Sequence, residues 1–251
     1  LARPGAYIGM IVPTGWHSGD DFSALRRLIA CATDPRAFVN LPYDVFHAWV
    51  DTAVFVLCKR VTPSPWPRIE RAPVWLRTFP KRHRIASAAE MERDCRRSDM
   101  AEWLRSESDV FLTYADDQAT SLIRKLERAG QPLGSVTDVQ RGVTPFATTS
   151  GPRYASSREA FKGTVRRYVF ERGPRAFIRF DDTLAEPKPE RYFKGRRILL
   201  RELISRQFRI QAVTVTEDFV TNKSMQSILP QRGGPPLEYL LALLNSRLLS
   251  W

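Results

Sequence analysis

Thr52-Ala-Val-Phe-Val-Leu-Cys58 is apolar almost throughout and lies between Asp51 and Lys59. A run this short and this continuous, with no polar alternation, predicts a strand buried on both faces inside a sheet. Two further strands are read upstream, Ala6-Tyr-Ile-Gly-Met-Ile-Val-Pro13 and Ala37-Phe-Val-Asn-Leu41. Between them Phe22, Leu25, Leu28 and Ile29 recur at helical spacing, which gives a helix over 20–32. Ser18-Gly-Asp-Asp21 supplies its N-terminal cap, with acidic residues in the first turn. Strand, helix, strand, strand is the tail of an α/β sheet and not a complete domain.

Thr62-Pro-Ser-Pro-Trp-Pro67 breaks regular structure and marks a boundary. Residues 84–130 alternate in charge, and the stripe Leu122, Ile123, Leu126, Ala129 stops at Gly130 with Pro132 beyond. Residues 61–130 are therefore expected to form a mainly helical connector. From Gln131 the pattern changes to short strands at Ala176-Phe-Ile-Arg-Phe180, Arg197-Ile-Leu-Leu-Arg201, Ile210-Gln-Ala-Val-Thr-Val-Thr216 and Met225-Gln-Ser-Ile-Leu229. A closing helix follows, with Pro236 at or near its first position and Leu237, Leu240, Leu241, Leu244 and Leu248 on one face. The expected fold class is α/β, with boundaries at 1–60, 61–130 and 131–251.

Charge is distributed unevenly along these segments. Residues 1–60 carry a net +1 and 61–130 a net +2, whereas 131–251 hold 20 Lys/Arg against 11 Asp/Glu, a net +9. A surface that needed only solubility would mix its signs. An excess on one module points to a polyanion, with nucleic acid the first candidate. Cys31, Cys58 and Cys95 include no CxxC pair, which argues against a structural zinc site or a secreted disulfide framework. His17, His47 and His83 lie 30 or more residues apart and are not expected to hold a metal. With no long apolar run and no signal peptide, a soluble, cytoplasmic protein with no membrane partner is expected. The chain starts at Leu1 and stops at Trp251 within an amphipathic stretch, so a piece of a larger polypeptide is expected.

Several stretches carry a family likeness. Gly5-Ala-Tyr-Ile-Gly-Met-Ile-Val-Pro13 is similar to the strand that follows the catalytic motif in TaqI-type adenine DNA methyltransferases and related restriction–modification enzymes. Leu41-Pro-Tyr-Asp-Val-Phe46 with Val50-Asp-Thr-Ala-Val-Phe-Val-Leu57 resembles their last sheet hairpin. Leu133-Gly-Ser-Val-Thr-Asp-Val-Gln-Arg-Gly-Val-Thr144 resembles the opening of their target-recognition domain. Phe161-Lys-Gly-Thr-Val-Arg-Arg-Tyr168, Lys194–Leu203, Val220-Thr-Asn222 and Leu240–Leu249 follow in the family's order. The resemblance implies the tail of a Rossmann-like methyltransferase sheet over 1–60, the connector, and a mixed α/β target-recognition domain over 131–251. It also implies that the parent transfers a methyl group from S-adenosylmethionine to the amine of a flipped adenine in duplex DNA. The family's glycine-rich cofactor loop and its Asn/Asp-Pro-Pro-Tyr/Phe motif are not present. Asn40-Leu-Pro-Tyr43 is not read as that motif, because Leu41 replaces the first proline and the flanks match the hairpin. Catalytic and cofactor-binding residues are thus expected upstream in the same polypeptide, and none in this chain.

What remains is recognition. Residues 158–209 hold 15 Lys/Arg against 7 Asp/Glu, mostly arginine, which can grip a guanine edge or a phosphate. The expected DNA-facing residues are Arg141, Thr144, Lys162, Arg166, Arg167, Lys194, Arg196 and Arg197, with Lys223 and Ser224 behind them. The competing reading of each is a solvated basic face, and Arg197 or Arg201 could instead pair with Glu202 or Glu190. Gly142 and Gly163 allow a close backbone approach to a phosphate, or only a tight turn. Tyr168, Tyr192 and Phe193 are candidates to stack on bases, or core and rim aromatics. Asp182 with Glu186-Pro-Lys188 is a poor nuclease site, since its acids share one loop. The rival functions are a catalytically silent specificity subunit that addresses a separate methylase or nuclease, and a single-stranded nucleic-acid binder.

Overall fold

The structure is a computed structural model that describes residues 2–43, 45–46, 50–65, 73–104, 109–114, 116–202 and 209–250. Trp66 and Pro67 of the proline-rich break, His47, Leu203 and Trp251 lie outside them. The chain divides into two compact units, Leu1–Arg128 and Ala129–Trp251. Both are mixed α/β with few helices; the described strands form one sheet in the first unit and several in the second. No helix among the described residues is long and apolar enough to cross a membrane.

The first unit runs β1 (Tyr7–Pro13), α1 (Ser23–Ala32), β2 (Thr33–Asn40), β3 (Thr52–Lys59), β4 (Pro73–Thr78), β5 (Arg96–Asp99), α2 (Met100–Trp103) and α3 (Asp117–Ala129). Its sheet has the order β1-β3-β2-β4-β5. The apolar strand β3 lies inside, antiparallel to both neighbours, and Ala53, Phe55 and Leu57 are buried there. The helix begins at Ser23 behind a 3-10 turn at Asp20–Phe22, and no side chain caps it. Residues 61–130 do not form the mainly helical connector expected. They give β4 and β5 to the same sheet, β4 parallel to β2 and β5 antiparallel to β4. Val74 and Leu76 alternate inward from β4, whereas β5 (Arg-Arg-Ser-Asp) has no apolar residue and is held in the sheet by backbone pairing. Charge alternation conceals a strand of that kind.

Trp16, Phe38, Phe55, Trp103 and Phe111 form an aromatic core in this unit. Two polar side chains are sealed beside them. Arg26 is fully buried and donates from Nε to the Asp109 carbonyl (2.8 Å) and from Nη1 to those of Trp16 (2.9 Å) and Gly19 (2.7 Å), fastening α1 to two loops. His17 lies edge-on to Trp16 with ring centroids 4.4 Å apart, and its Nδ1 is 3.2 Å from Thr113 Oγ1. Burial, reinforced by the Arg26 charge, lowers its pKa from 6.5 to about 4, so the ring is neutral at pH 7.

The second unit runs α4 (Leu133–Val136), β6 (Thr137–Arg141), β7 (Thr148–Thr149), β8 (Ser157–Ala160), β9 (Gly163–Arg166), β10 (Val169–Arg172), β11 (Ala176–Arg179), β12 (Arg197–Arg201), β13 (Ala212–Val215), β14 (Met225–Pro230) and α5 (Leu237–Leu244). A four-stranded antiparallel sheet, β13-β12-β14-β6, is its centre. The period of two along β12 divides its side chains between two cores. Leu199 joins Val213 and Val215 under Phe161 and under Val165 and Phe170 of the β9–β10 hairpin, while Ile198 joins Ala212 and Ile228 under Leu237, Leu240 and Leu244 of α5. A three-stranded sheet, β7-β11-β8, stands beside it.

Strand β13 is an edge, and a side chain closes it. Asn245, fully buried just after α5, accepts from the Ala212 N–H at 3.0 Å and donates to the Ala212 carbonyl at 2.9 Å. Its own carbonyl accepts from Arg167 Nη2, and the Tyr168 N–H donates to Ala212 O at 3.0 Å. One amide thus takes the place of a neighbouring strand and joins the helix, the sheet edge and the hairpin tip.

Two stability measurements follow from these buried groups. His17 takes its proton near pH 6.5 in the unfolded chain and only at about 4 in the fold. Stability is therefore retained above pH 6.5 and lost as the pH falls from there toward 4. Urea unfolding followed by tryptophan fluorescence should show the first unit weaker at pH 5 than at pH 7 by about 2 kcal/mol. His17→Phe should remove that difference. Asn245→Leu leaves the Ala212 N–H unpaired in an apolar setting, and the second unit should lose about 2–3 kcal/mol by urea midpoint. Asn245→Gln with an unchanged midpoint would contradict the geometric fit.

Candidate nucleic-acid interface

The register of the central sheet sets several of the expected residues at one end of it. Arg141 is opposite Gln226, Gln226 opposite Leu200, and Leu200 opposite Ala212, whose carbonyl receives the Tyr168 N–H. With strands spaced about 4.8 Å, this row runs roughly 20 Å from Arg141 to the hairpin tip. Lys223 and Ser224 precede β14 at the same end, Arg201 closes β12, and Arg166 and Arg167 lead into the tip. Backbone bonds fix the cluster. Arg141 Nε donates to the Lys223 carbonyl (3.4 Å), and the Glu202 N–H to that of Ser224 (2.8 Å). Ser224 N–H and Oγ both donate to Asn222 Oδ1, at 3.1 and 2.6 Å.

Charge at this end is only partly neutralised. Arg141 Nη2 bonds both Glu202 oxygens at 2.8 Å, and Arg166 stands 3.9 Å from Glu171. Lys223 has no acidic partner among the described residues. The paired residues are exposed, and an exposed pair holds its partner by no more than about 1 kcal/mol. A phosphate can take the place of either carboxylate.

The other expected residues fall elsewhere. Lys162 is exposed at the far end of the hairpin, beside Gly163 and Gly173. Thr144 precedes a cis proline, and its carbonyl accepts from Glu186 N–H. Lys194 and Arg196 lie before β12, at the opposite end of the sheet, paired with Glu190 (3.0 Å) and Glu238. Arg197 is a correction. It is fully buried, donating from Nη1 to the carbonyls of Gly195 (2.8 Å) and Glu217 (2.9 Å), with its guanidinium 4.7 Å above the Phe219 ring. Burial lowers its pKa to about 10, and it presents nothing to a duplex. An arginine that opens a strand gives no sequence signal of which way it points.

Both glycines serve the chain's own backbone. A Cβ on Gly142 would stand 2.2 Å from the Asn222 carbonyl, and one on Gly163 2.1 Å from that of Glu171. Of the three aromatics, Tyr192 and Phe193 are core, while Tyr168 is 54% exposed. Lys188 pairs with Glu186 at 3.4 Å, and among the described residues no three His, Cys, Asp or Glu gather into a metal site. A cavity of about 340 Å³ lined by Arg158, Glu159, Glu190, Lys194 and Asp218 mixes both signs, with carboxylates in excess, and does not suit an anion. Cys31, Cys58 and Cys95 are free thiols.

Among the described residues, neither Asn40 nor Gly19 has an open position to offer S-adenosylmethionine. Asn40 is fully buried, its Nδ2 donating to Thr78 Oγ1 and Thr113 O at 3.0 Å each, and its Oδ1 accepting from Thr113 Oγ1 at 3.3 Å. No edge of it is left for a base. The space where Gly19 lacks a Cβ is taken by the Gly15 carbonyl and the Phe22 ring.

No protein-family profile matches the chain. Over its whole length it is 23% identical to a protein of Methanocaldococcus jannaschii described as a type II restriction enzyme and methyltransferase. It spans 21% of that protein. Three solved structures are also similar. The ATP-dependent type ISP restriction–modification enzyme LlaBIII bound to DNA matches 90% of this chain with 19% of its own, at 8% identity and a TM-score of 0.48. The type IIL restriction–modification enzyme MmeI in complex with DNA matches 96% with 35%, at 10% identity and 0.46. The type IIG restriction endonuclease BpuSI matches 98% with 37%, at 14% identity and 0.37. All three scores are under 0.5, so they add nothing to the fold described above. The sequence as a whole resembles restriction–modification proteins that carry a methyltransferase.

Proposed function

We propose that this chain is the portion of a restriction–modification DNA methyltransferase that holds duplex DNA and selects the target sequence. The observation that carries the reading is the basic end of the central sheet: Arg141, Arg166, Arg167, Arg201 and Lys223 drawn together from segments up to 82 residues apart. The end-to-end likeness to a type II restriction enzyme and methyltransferase supports it independently. In this reading, Arg141, Arg166 and Lys223 contact phosphates and set register, and Ser224 and Arg201 stand beside the base edges. Lys162, Lys194 and Arg196 lie outside the contact. The parent uses S-adenosylmethionine to methylate adenine N6, with the catalytic motif supplied elsewhere in a longer polypeptide and the first unit completing its sheet.

A duplex-binding titration against salt tests the interface. Lys223→Ala should weaken binding on every sequence alike and reduce the slope of log K against log salt by about 1. Arg196→Ala should leave both unchanged. Selection from a randomised duplex library at about 100–150 mM salt then tests target choice. Recovery of a short motif that contains an adenine supports the methyltransferase reading, and a motif without adenine overturns adenine as the target. A parent that binds S-adenosylmethionine in calorimetry distinguishes this from a catalytically silent specificity subunit.

A further inference from the structure

Tyr168 is the second of the two residues that link β9 to β10, between the facing pair Arg166 and Val169. Its φ is +63°, a backbone conformation that glycine or asparagine adopts readily and a tyrosine does not. The core does not require it there, for the residue is 54% exposed. The position is nevertheless held firmly. The Tyr168 N–H is bonded to Ala212 O at 3.0 Å, and the preceding Arg167 is tied to the Asn245 carbonyl with its guanidinium 5.8 Å from the Tyr168 ring centre. A large flat apolar side chain is thus held out in solvent, in a turn that disfavours it, at the end of the row that begins at Arg141. Backbone strain beneath an exposed side chain that the core does not bury is grounds for a hypothesis of function.

We propose that Tyr168 contacts bases: its ring stacks on a base of the duplex whose phosphates lie along the row from Arg141 and Lys223. The inference rests on the DNA-binding reading above. A ring has no charge to offer a phosphate, and its flat face matches an exposed or partly unstacked base. The hairpin anchor restricts it to side-chain rotations alone, so little ordering is required on contact. Arg167 lies over the ring and leaves room for a base only on the opposite face.

The test compares the whole chain with its Tyr168→Gly and Tyr168→Phe variants, using fluorescence anisotropy on a randomised duplex pool at several salt concentrations, with urea midpoints measured in parallel. Glycine relieves the turn, so Tyr168→Gly should unfold at an equal or higher urea concentration. It should also bind duplex about tenfold more weakly at every salt concentration, with the salt slope unchanged. Tyr168→Phe should bind as the parent chain does. A lower urea midpoint for Tyr168→Gly would make the ring a structural prop and overturn the proposal. So would undiminished binding, a changed salt slope, or a Tyr168→Phe variant as weak as Tyr168→Gly, which would assign the contact to the hydroxyl. Absence of duplex binding by the unaltered chain would overturn the DNA-binding reading itself. Binding by the chain with no effect of Tyr168→Gly would overturn this inference alone.

Discussion

An edge strand must have its outward N–H and C=O satisfied, and in the second unit a single buried amide does this for β13 at Ala212. Asn245 bonds both groups of that residue, at 3.0 and 2.9 Å, from a position fixed by α5. Its carbonyl then receives Arg167. The hairpin cannot move along the sheet without breaking that chain of bonds, because the Tyr168 N–H shares the Ala212 carbonyl. Helix, sheet edge and hairpin tip are therefore one rigid piece, and the side chains displayed at that end of the sheet inherit its rigidity. Rigid presentation is what base readout requires, since a contact loose by an ångström discriminates little.

Net charge and local charge part company in this unit. The strongly basic segment sets several of its cations against its own carboxylates or backbone. Arg197 is a buried pin, Arg172 pairs with Glu159 and Glu217, and Arg158 and Lys194 share Glu190. The net excess read from composition is real, but it is not spread evenly over the surface. Arg141 and Lys223 are exposed where β6, β12 and β14 meet, and Arg166 is exposed at the hairpin tip. Glu202 beside Arg141, and Glu171 beside Arg166 on the hairpin, are exposed partners that yield to a polyanion at little cost.

The long apolar signals were legible. Strand β3, helix α1 and the closing helix could be read because their burial is written in continuous or 3.6-period apolar residues. In the second unit Arg197–Arg201, Ala212–Val215, Met225–Pro230 and Ala176–Arg179 stood out for the same reason. Strands β5, β7 and β9 were not legible. They are two to four residues long, and β5 has no apolar residue to announce it. Type and context single out Arg141, Lys223, Lys194 and Arg196 alike; which of them share one end of the sheet depends on its register, which joins residues far apart in sequence. The burial of Arg197 depends on Phe219, 22 residues later, and the exposure of Tyr168 on a turn geometry its side chain does not announce.

The central claim is that DNA lies on one end of the central sheet and not the other. Site-directed photocrosslinking tests it most directly: a benzophenone side chain is placed in turn at Lys223 and at Arg196, and the chain is irradiated on a randomised duplex pool at moderate salt. The account predicts efficient adducts from position 223 and none above background from position 196. Adducts from position 196 alone, or equal adducts from both, would contradict it.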